Sequence, residues 1–547
     1  MTAPASRVPD MLWYGWGVPD RQIHLPDSVT ALLGQALGVH PSPPRAEPDV
    51  RLAESALPPD AAGALAAVVG AGHVRTGDDV RLLHSGGKST IDLLRRRRDH
   101  PVLDAPDAVV LPADHAQVLA VLAACARHGV AVVPFGGGTS VVGGVEPARG
   151  RFAAVITLDL RRLDRLIAVD AESATATLQP GLKAPEAESL LADHGLTLGH
   201  YPQSFEHATI GGFAATRSSG QSSAGYGRFD DLVVALRVAT PAGELCLGRA
   251  PASAAGPDLR QLFLGSEGAF GVITEVTVRV RPVPPTQLDE AWWFPDFGAG
   301  ATALRRLAQA DALPAIARLS DEAETAVNAA LSGPAGAPPG GPAAAPAVPA
   351  GGTLAITGYE GTAEAVAARR SAATAILAGA GGMPLPEPAA AGWRAGRFAA
   401  PYLRDGLLDA GALVETLETA TSWSALPALY AAVRAAVTGT LTGQGTPPLV
   451  LCHISHVYPT GASLYFTVVA AVAADPIAQW QATKRAAGDA ITSHGATISH
   501  HHAVGTDHRG WMTAEVGDLG VAVLRAVKAT VDPAGILNPG KLLPPEP

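Results

Sequence analysis

Cysteine is nearly absent from this 547-residue chain: Cys125, Cys246 and Cys452 lie far apart, and none belongs to a C-x-x-C pair. That excludes a disulfide framework and a cysteine-built zinc site, and it points to a reducing compartment. Charge is sparse as well, at 16% of residues, and 40 basic against 50 acidic side chains leave a formal net charge of −10. Nucleic acid is therefore excluded as a main partner, because phosphate contacts leave a basic footprint. No uninterrupted apolar run reaches the ~20 residues that a membrane-spanning helix needs. The opening MTAPASRVPDMLWYGWG lacks the charged start and apolar stretch of a secretory signal. The expected location is cytoplasmic.

Apolar residues, by contrast, make up 47% of the chain, enough for more than one core at this length. Residues 1–100 mix Pro-rich connections with short helical patterns. STIDLLRRRRDH (89–100) carries four adjacent arginines, which read as a solvated helix face. From 101 the texture changes to strand, helix, strand. Asp114 is placed to cap the helix, Gly129 to end it, and the β-branched run Val130–Val133 follows. Alternating β-branched segments continue to about 285, giving an α+β region without a regular βαβ repeat. Residues 286–500 supply enough helix and strand for a second domain. Within it GPAGAPPGGPAAAPAVPAGG (333–352) buries too little side chain to offset its ordering entropy and reads as a flexible loop.

The chemistry is concentrated in glycine-rich stretches. PFGGGTSVVGG (134–144) sets three glycines after a buried strand, so that bare backbone N–H groups can approach a phosphate or pyrophosphate. It is neither G-x-x-x-x-G-K-[ST] nor G-x-G-x-x-G, which disfavours a P-loop ATPase and the common dinucleotide fold. A tight hairpin turn is the alternative for these glycines alone. PQSFEHATIGGFAATRSSG (202–220) and GPDLRQLFLGSEGAFGVITE (256–275) are further polar, glycine-rich loops. Three such loops in one region suit a large, elongated cofactor.

The stretches PFGGGTS, TIGGFAATRSSG, GSEGAFGVITE and ILNPGKL resemble the flavin-binding fold shared by vanillyl-alcohol oxidase and p-cresol methylhydroxylase. Within that superfamily GWG, ARLSD, YPTGASLYF and SHHHAVG resemble the alkyldihydroxyacetonephosphate synthase branch. The resemblance implies an α+β, two-subdomain FAD-binding fold (101–285) with an α+β cap that encloses substrate (286–500). A mostly helical segment (1–100) precedes them, and a tail (501–547) returns to the flavin. It also implies that Pro134, Phe135, Gly136, Gly137, Gly138, Thr139 and Ser140 wrap the FAD pyrophosphate. The cradle is completed by Gln203, Ser204, Phe205, Glu206, His207, Ala208 and Thr209; by Thr216, Arg217, Ser218 and Ser219; and by Glu267, Gly268, Ala269, Phe270, Gly271, Val272 and Ile273. No histidine sits in the glycine loop, so FAD is expected to be non-covalent.

For catalysis the resemblance points to Tyr465, Arg318, His500, His501 and His502, with Arg404 binding substrate. The implied reaction exchanges the acyl group of acyl-dihydroxyacetone phosphate for a fatty alcohol through an adduct at flavin N5, with no net redox. Tyr465 could relay a proton beside a carbonyl if desolvation and cationic neighbours lower its pKa. Arg404 offers a fixed fork of donors to an anionic oxygen. Each of these residues also has a structural reading, as a core tyrosine or an ordinary ion-pair partner.

Three adjacent histidines suggest a metal. Neighbours in extended chain point opposite ways, however, so at most two of the three can converge. Related FAD-dependent 2-hydroxy-acid dehydrogenases bind zinc through GHxGDGNxH and an EHG glutamate. Here His453 in CHISHVYPTG matches the first ligand, but Thr460 stands at the second and the glutamate is replaced. No metal is expected, and the histidines read as an acid/base and anion-holding group. The competing function is an FAD-dependent dehydrogenase or oxidase of a small 2-hydroxy acid or alcohol, since the fold serves both chemistries. A lipid substrate would bring peripheral membrane contact, and a homodimer is a further expectation of the resemblance.

Overall fold

A computed structural model describes residues 1–4, 6–41, 50–97, 102–331, 349 and 351–545. The loop expected at 333–352 lies almost wholly outside them.

The helix His115–His128 starts where Asp114 accepts a hydrogen bond from the Gln117 N–H, and it ends at Gly129 in the left-handed region. The chain then enters the strand Val130–Phe135, which pairs in parallel with Ala154–Asp159. With Ala108–Val110 and Val74–Arg75 these form a four-stranded sheet in which Val130–Phe135 is the outer strand. That edge does not stay open. The C-terminal segment lies along it, with the Val132 N–H donating to Ile536 O and the Asn538 N–H to Val132 O, each at 2.8 Å. Burial of Val130, Val132, Ile156, Leu158 and the apolar face of His115–His128 makes this sheet's core.

A five-stranded antiparallel sheet follows, ordered Leu166–Asp170, Thr175–Leu178, Val272–Arg279, Val233–Thr240, Gly243–Leu247. The largest sheet has seven antiparallel strands and comes from residues 286–471. Its last four strands in space are Ile316–Ser320, Leu449–Val457, Gly461–Ala471 and Ala412–Ser422. The long helices Phe297–Gln309, Ala363–Gly379, Leu426–Gly443 and Pro476–Ser493 contribute to its core, the largest in the molecule. The architecture is α+β, as the sequence led one to expect. Among the described residues, no helix is long and apolar enough to cross a membrane.

The arginine run departs from its expected role as a solvated face. Arg95 is partly exposed, but Arg96 and Arg97 are buried at 3% and 5% exposure. Arg98 lies outside the described residues. The cause is that the helix Thr90–Arg97 packs beneath the N-terminal segment. Arg96 Nη1 donates to Trp13 O and Gly87 O at 2.8 Å, and Arg97 Nε donates to Asp409 Oδ1 at 3.0 Å. Arg97 also lies 3.9 Å from the buried carboxylate of Asp405, which accepts from the Trp16 N–H. These charges pin the GWG segment to the cap. Arg97→Ala is expected to cost about 1.5–3 kcal/mol, because it removes a buried guanidinium's bonds to Asp409 and the Tyr14 carbonyl while Asp405 keeps Arg404. Urea unfolding checks this, and a loss below about 1 kcal/mol would match a surface pair instead.

Candidate active site

Where the parallel sheet meets the cap, a cavity open to solvent is lined from Trp16 through the glycine loop to His501 and His502. All three glycine-rich stretches and the cap contribute to its wall, so it suits an elongated ligand. Its glycines are required by contact. A Cβ on Gly137 would lie 1.9 Å from His207 O, and one on Gly136 would lie 2.3 Å from Thr209 Oγ1. The loop therefore presses its backbone against the segment 207–209. Gln203, on the same wall, has a buried Nε2 with no hydrogen-bond partner. A bare backbone loop, an unused buried amide donor and a long cavity fit FAD, as the sequence led one to expect.

The opposite wall is held by two buried glutamates. Glu418, on the strand Ala412–Ser422, is 2% exposed and accepts four hydrogen bonds. Its donors are the N–H groups of His500 (2.7 Å), His501 (3.1 Å) and His502 (2.8 Å) and the Ser499 hydroxyl (2.7 Å). Glu267, from the third glycine-rich stretch, accepts from the N–H groups of Val504 (3.0 Å) and Gly505 (2.8 Å). The histidine loop is thus clamped from the cap on one side and from the cofactor region on the other. Between the clamps Ala503 takes φ 72, a left-handed conformation costly for a residue with a Cβ. Asn538 ties in the ILNPGKL tail, its Nδ2 donating to Gly144 O and Glu267 O at 3.0 and 2.6 Å.

Strand register aligns the remaining groups. Tyr465 stands opposite Glu418 on one side and His453 on the other. Its ring stacks on His453 at 4.9 Å and on His501 at 6.1 Å, and it meets His502 edge-on at 5.5 Å. Behind it, Arg318 Nη2 donates to Glu324 Oε1 at 2.7 Å and to His453 Nδ1 at 3.0 Å. Burial works against ionised Glu324, but His453 and Arg318 hold its carboxyl down to about 2.

Of the residues singled out from sequence, the cavity wall contains all seven from Pro134 to Ser140. It also contains Gln203, Ser204, Ala208, Thr209, Thr216, Ser218, Glu267, Gly268, Gly271, Val272 and Ile273, together with Arg404, Tyr465, His501 and His502. Others are placed elsewhere. Phe205 stacks on Phe398, Glu206 accepts from the Tyr402 hydroxyl, and His207 lies edge-on to Trp16. Arg217 ends its helix and donates to Leu264 O, Ser219 is buried beside Ser218, and Ala269 and Phe270 are core residues. Arg318 sits one layer behind Tyr465, and His500 Nε2 lies 2.6 Å from the Tyr458 hydroxyl. Glu418 and Glu324 were missed as site residues, while His453 was weighed only as a metal ligand and Trp16 only as part of the GWG motif. An acid in the alternating strand ALVETLETATS carries no sequence mark that separates it from a surface acid.

The protonation states differ from expectation at Tyr465. Burial, together with the nearby carboxylates of Glu418 and Glu415, pushes its phenol up to about 12, and Arg404 does not outweigh them. The tyrosine is a neutral phenol at physiological pH. Burial likewise drives His502 well below the usual imidazole range and His500 down to about 3. Glu418 goes the other way from its own desolvation: His501 chief among the histidines holds its carboxyl well below the usual value.

This arrangement defines the molecule as an FAD-dependent enzyme, and comparison with known proteins agrees. A family model for the FAD binding domain matches residues 106–247, and one for the C-terminal domain of FAD linked oxidases matches 285–542. An alkyldihydroxyacetonephosphate synthase from Dictyostelium discoideum is 34% identical over 478 residues, covering 85% of this chain and 77% of the relative. A solved alkyldihydroxyacetonephosphate synthase superposes with a TM-score of 0.81 at 28% identity, over 97% of this chain and 98% of that one. Substrate-bound p-cresol methylhydroxylase shares the fold, with a TM-score of 0.66 at 16% identity over 90% of this chain and 99% of that one. The chain belongs to the alkyldihydroxyacetonephosphate synthase family.

Glu418→Gln is expected to destabilise the protein by about 3 kcal/mol or more, since charge-assisted hydrogen bonds of about 1.5–3 kcal/mol each are lost or weakened. A carboxyl held below its unfolded value stabilises the fold fully above that value, and the gain is lost as pH falls through the folded value. The gap between the natural chain and the variant should therefore be constant above about pH 5 and shrink below about pH 4. Unfolding curves across that range check it.

Proposed function

We propose that the protein exchanges the acyl group of acyl-dihydroxyacetone phosphate for a fatty alcohol, with no net redox. The observation that carries this is the convergence of Tyr465, His501, His502 and Arg404 on the wall of a single cavity that also holds the glycine loop. In the exchange, the bond between the ketone-side carbon and the acyl oxygen breaks and the alcohol oxygen bonds to that carbon. The fatty acid leaves, and the alcohol's proton is released. Non-covalent FAD would be held by the loop Pro134–Ser140 with Gln203, Thr209 and the 267–273 stretch, and it would supply an electrophilic ring to the exchange.

The side chains divide the remaining work. Arg404 is fixed by donating through Nη1 to Lys88 O at 2.8 Å and through Nη2 to Asp405 Oδ1 at 3.1 Å. Its positive charge at the cavity wall binds the substrate's phosphate. His501, with Nδ1 3.4 Å from Glu418 Oε2, takes the proton from the carbon beside the carbonyl, and Glu418 stabilises the imidazolium. Tyr465, a neutral phenol, donates a hydrogen bond to the departing carboxylate. His502 stays neutral and orients the tyrosine ring. Arg318 acts through Glu324 and His453, which fix the ring from behind.

Peripheral membrane contact belongs to the same proposal. It is supported by the exposed Val516, Leu519 and Val523 on the helix Met512–Val531.

Tyr465→Phe should remain yellow and FAD-loaded while turnover falls by about 10²–10³-fold, the usual worth of one preorganised hydrogen-bond donor to developing negative charge. Release of labelled fatty acid measures it. Loss of FAD, or undiminished turnover, would remove Tyr465 from the mechanism.

A further inference from the structure

We propose that His456, His500 and His501 form a binding site for one zinc-class transition-metal dication, buried just behind the cavity wall that His501 reaches. One ring nitrogen from each histidine lies within 4.8 Å of the others. Two segments supply them. His456 comes from the strand Leu449–Val457, where pairing with its neighbour slips between Ile454 and Val457, and the loop held by Glu418 supplies the other two.

The rings are already gathered: their centroids are 4.9 Å (456 to 500), 5.3 Å (456 to 501) and 5.2 Å (500 to 501) apart. His500 Nδ1 and His501 Nδ1 stand 3.0 Å apart. In tetrahedral zinc with Zn–N bonds of ~2.0–2.1 Å, the ligand nitrogens are separated by about 3.3 Å. That edge therefore exists before any metal arrives, and with all three nitrogens within 4.8 Å of one another, ring shifts of at most about 1.5 Å would complete the three-nitrogen face.

Hydrogen bonding orients the rings as metal-bound histidines are oriented. His456 Nε2 faces Gly220 O at 3.1 Å, so it donates there and the lone pair is on Nδ1, where a metal would displace the Ser455 hydroxyl that lies 2.9 Å away. With His500 Nδ1 turned to His501, His500 Nε2 is left to the Tyr458 hydroxyl at 2.6 Å. Glu418, 3.4 Å from His501 Nδ1, supplies a buried negative charge that favours a cation. Two of the three adjacent histidines converge, as chain geometry allows, and the further nitrogen comes from His456, three residues beyond His453.

The full-length, FAD-loaded protein, stripped with a chelator and dialysed against Zn²⁺, should take up one equivalent per chain by elemental analysis. Its Co²⁺ form should show tetrahedral absorption beyond the flavin bands. His456→Gln with an intact flavin spectrum should bind Zn²⁺ at least about tenfold more weakly, whereas Tyr465→Phe should bind as the natural chain does. If His456→Gln fails to fold, His501→Gln asks the same question from the loop side. Substoichiometric uptake by the natural chain, or equal uptake by the histidine variants, overturns the site. A bound metal would engage His501, so its effect on turnover rests on the proposed function, while the uptake measurement does not.

Discussion

The carboxylate of Glu418 is the point on which the cavity wall depends. Buried charge is costly, and this one is compensated by three successive backbone N–H groups and a hydroxyl. The compensation fixes the histidine loop, because the three N–H groups reach one carboxylate only if the chain curls around it. The cross-strand register then places Tyr465 directly opposite the same glutamate. One side chain therefore sets both the backbone that carries the histidines and the phenol they surround.

Glu267 repeats the device from the cofactor side, with a different electrostatic outcome. It has fewer donors and no histidine beside it, so burial prevails and pushes its carboxyl up to about 7. Together the two acids stitch the segment 499–505 between the seven-stranded sheet and the flavin loops. The tail does the same through Asn538 and through Lys541, whose Nζ donates to Glu146 O at 3.0 Å. A cavity between sheets keeps its shape only if such cross-links resist hinge motion, and here every cross-link ends on a charge or a backbone group.

Much of this was legible in the sequence, for physical reasons that can be named. Asp114 and Gly129 bracket their helix because capping is local chemistry. The glycine loop was visible because only glycine allows backbone within 2 Å of where a Cβ would stand, as at Gly137. The family resemblance supplied Tyr465, Arg404 and the histidines. What could not be read was long-range. Arg96 and Arg97 look like a solvated pair until the N-terminal carbonyls close over them, and Glu418 looks like any acid on an alternating strand. The upward push on the Tyr465 phenol comes first from burial and then from Glu418 and Glu415, acids distant in sequence and brought close only through strand pairing.

The redox-neutral exchange proposed for this flavoprotein is tested by anaerobic incubation of the purified protein with acyl-dihydroxyacetone phosphate and a long-chain alcohol, with no electron acceptor. Ether product and released fatty acid are expected in equal amounts, with the oxidised flavin spectrum intact at the end. Absence of ether, with the flavin bleached by a 2-hydroxy acid under the same conditions, would contradict it and make the protein a dehydrogenase.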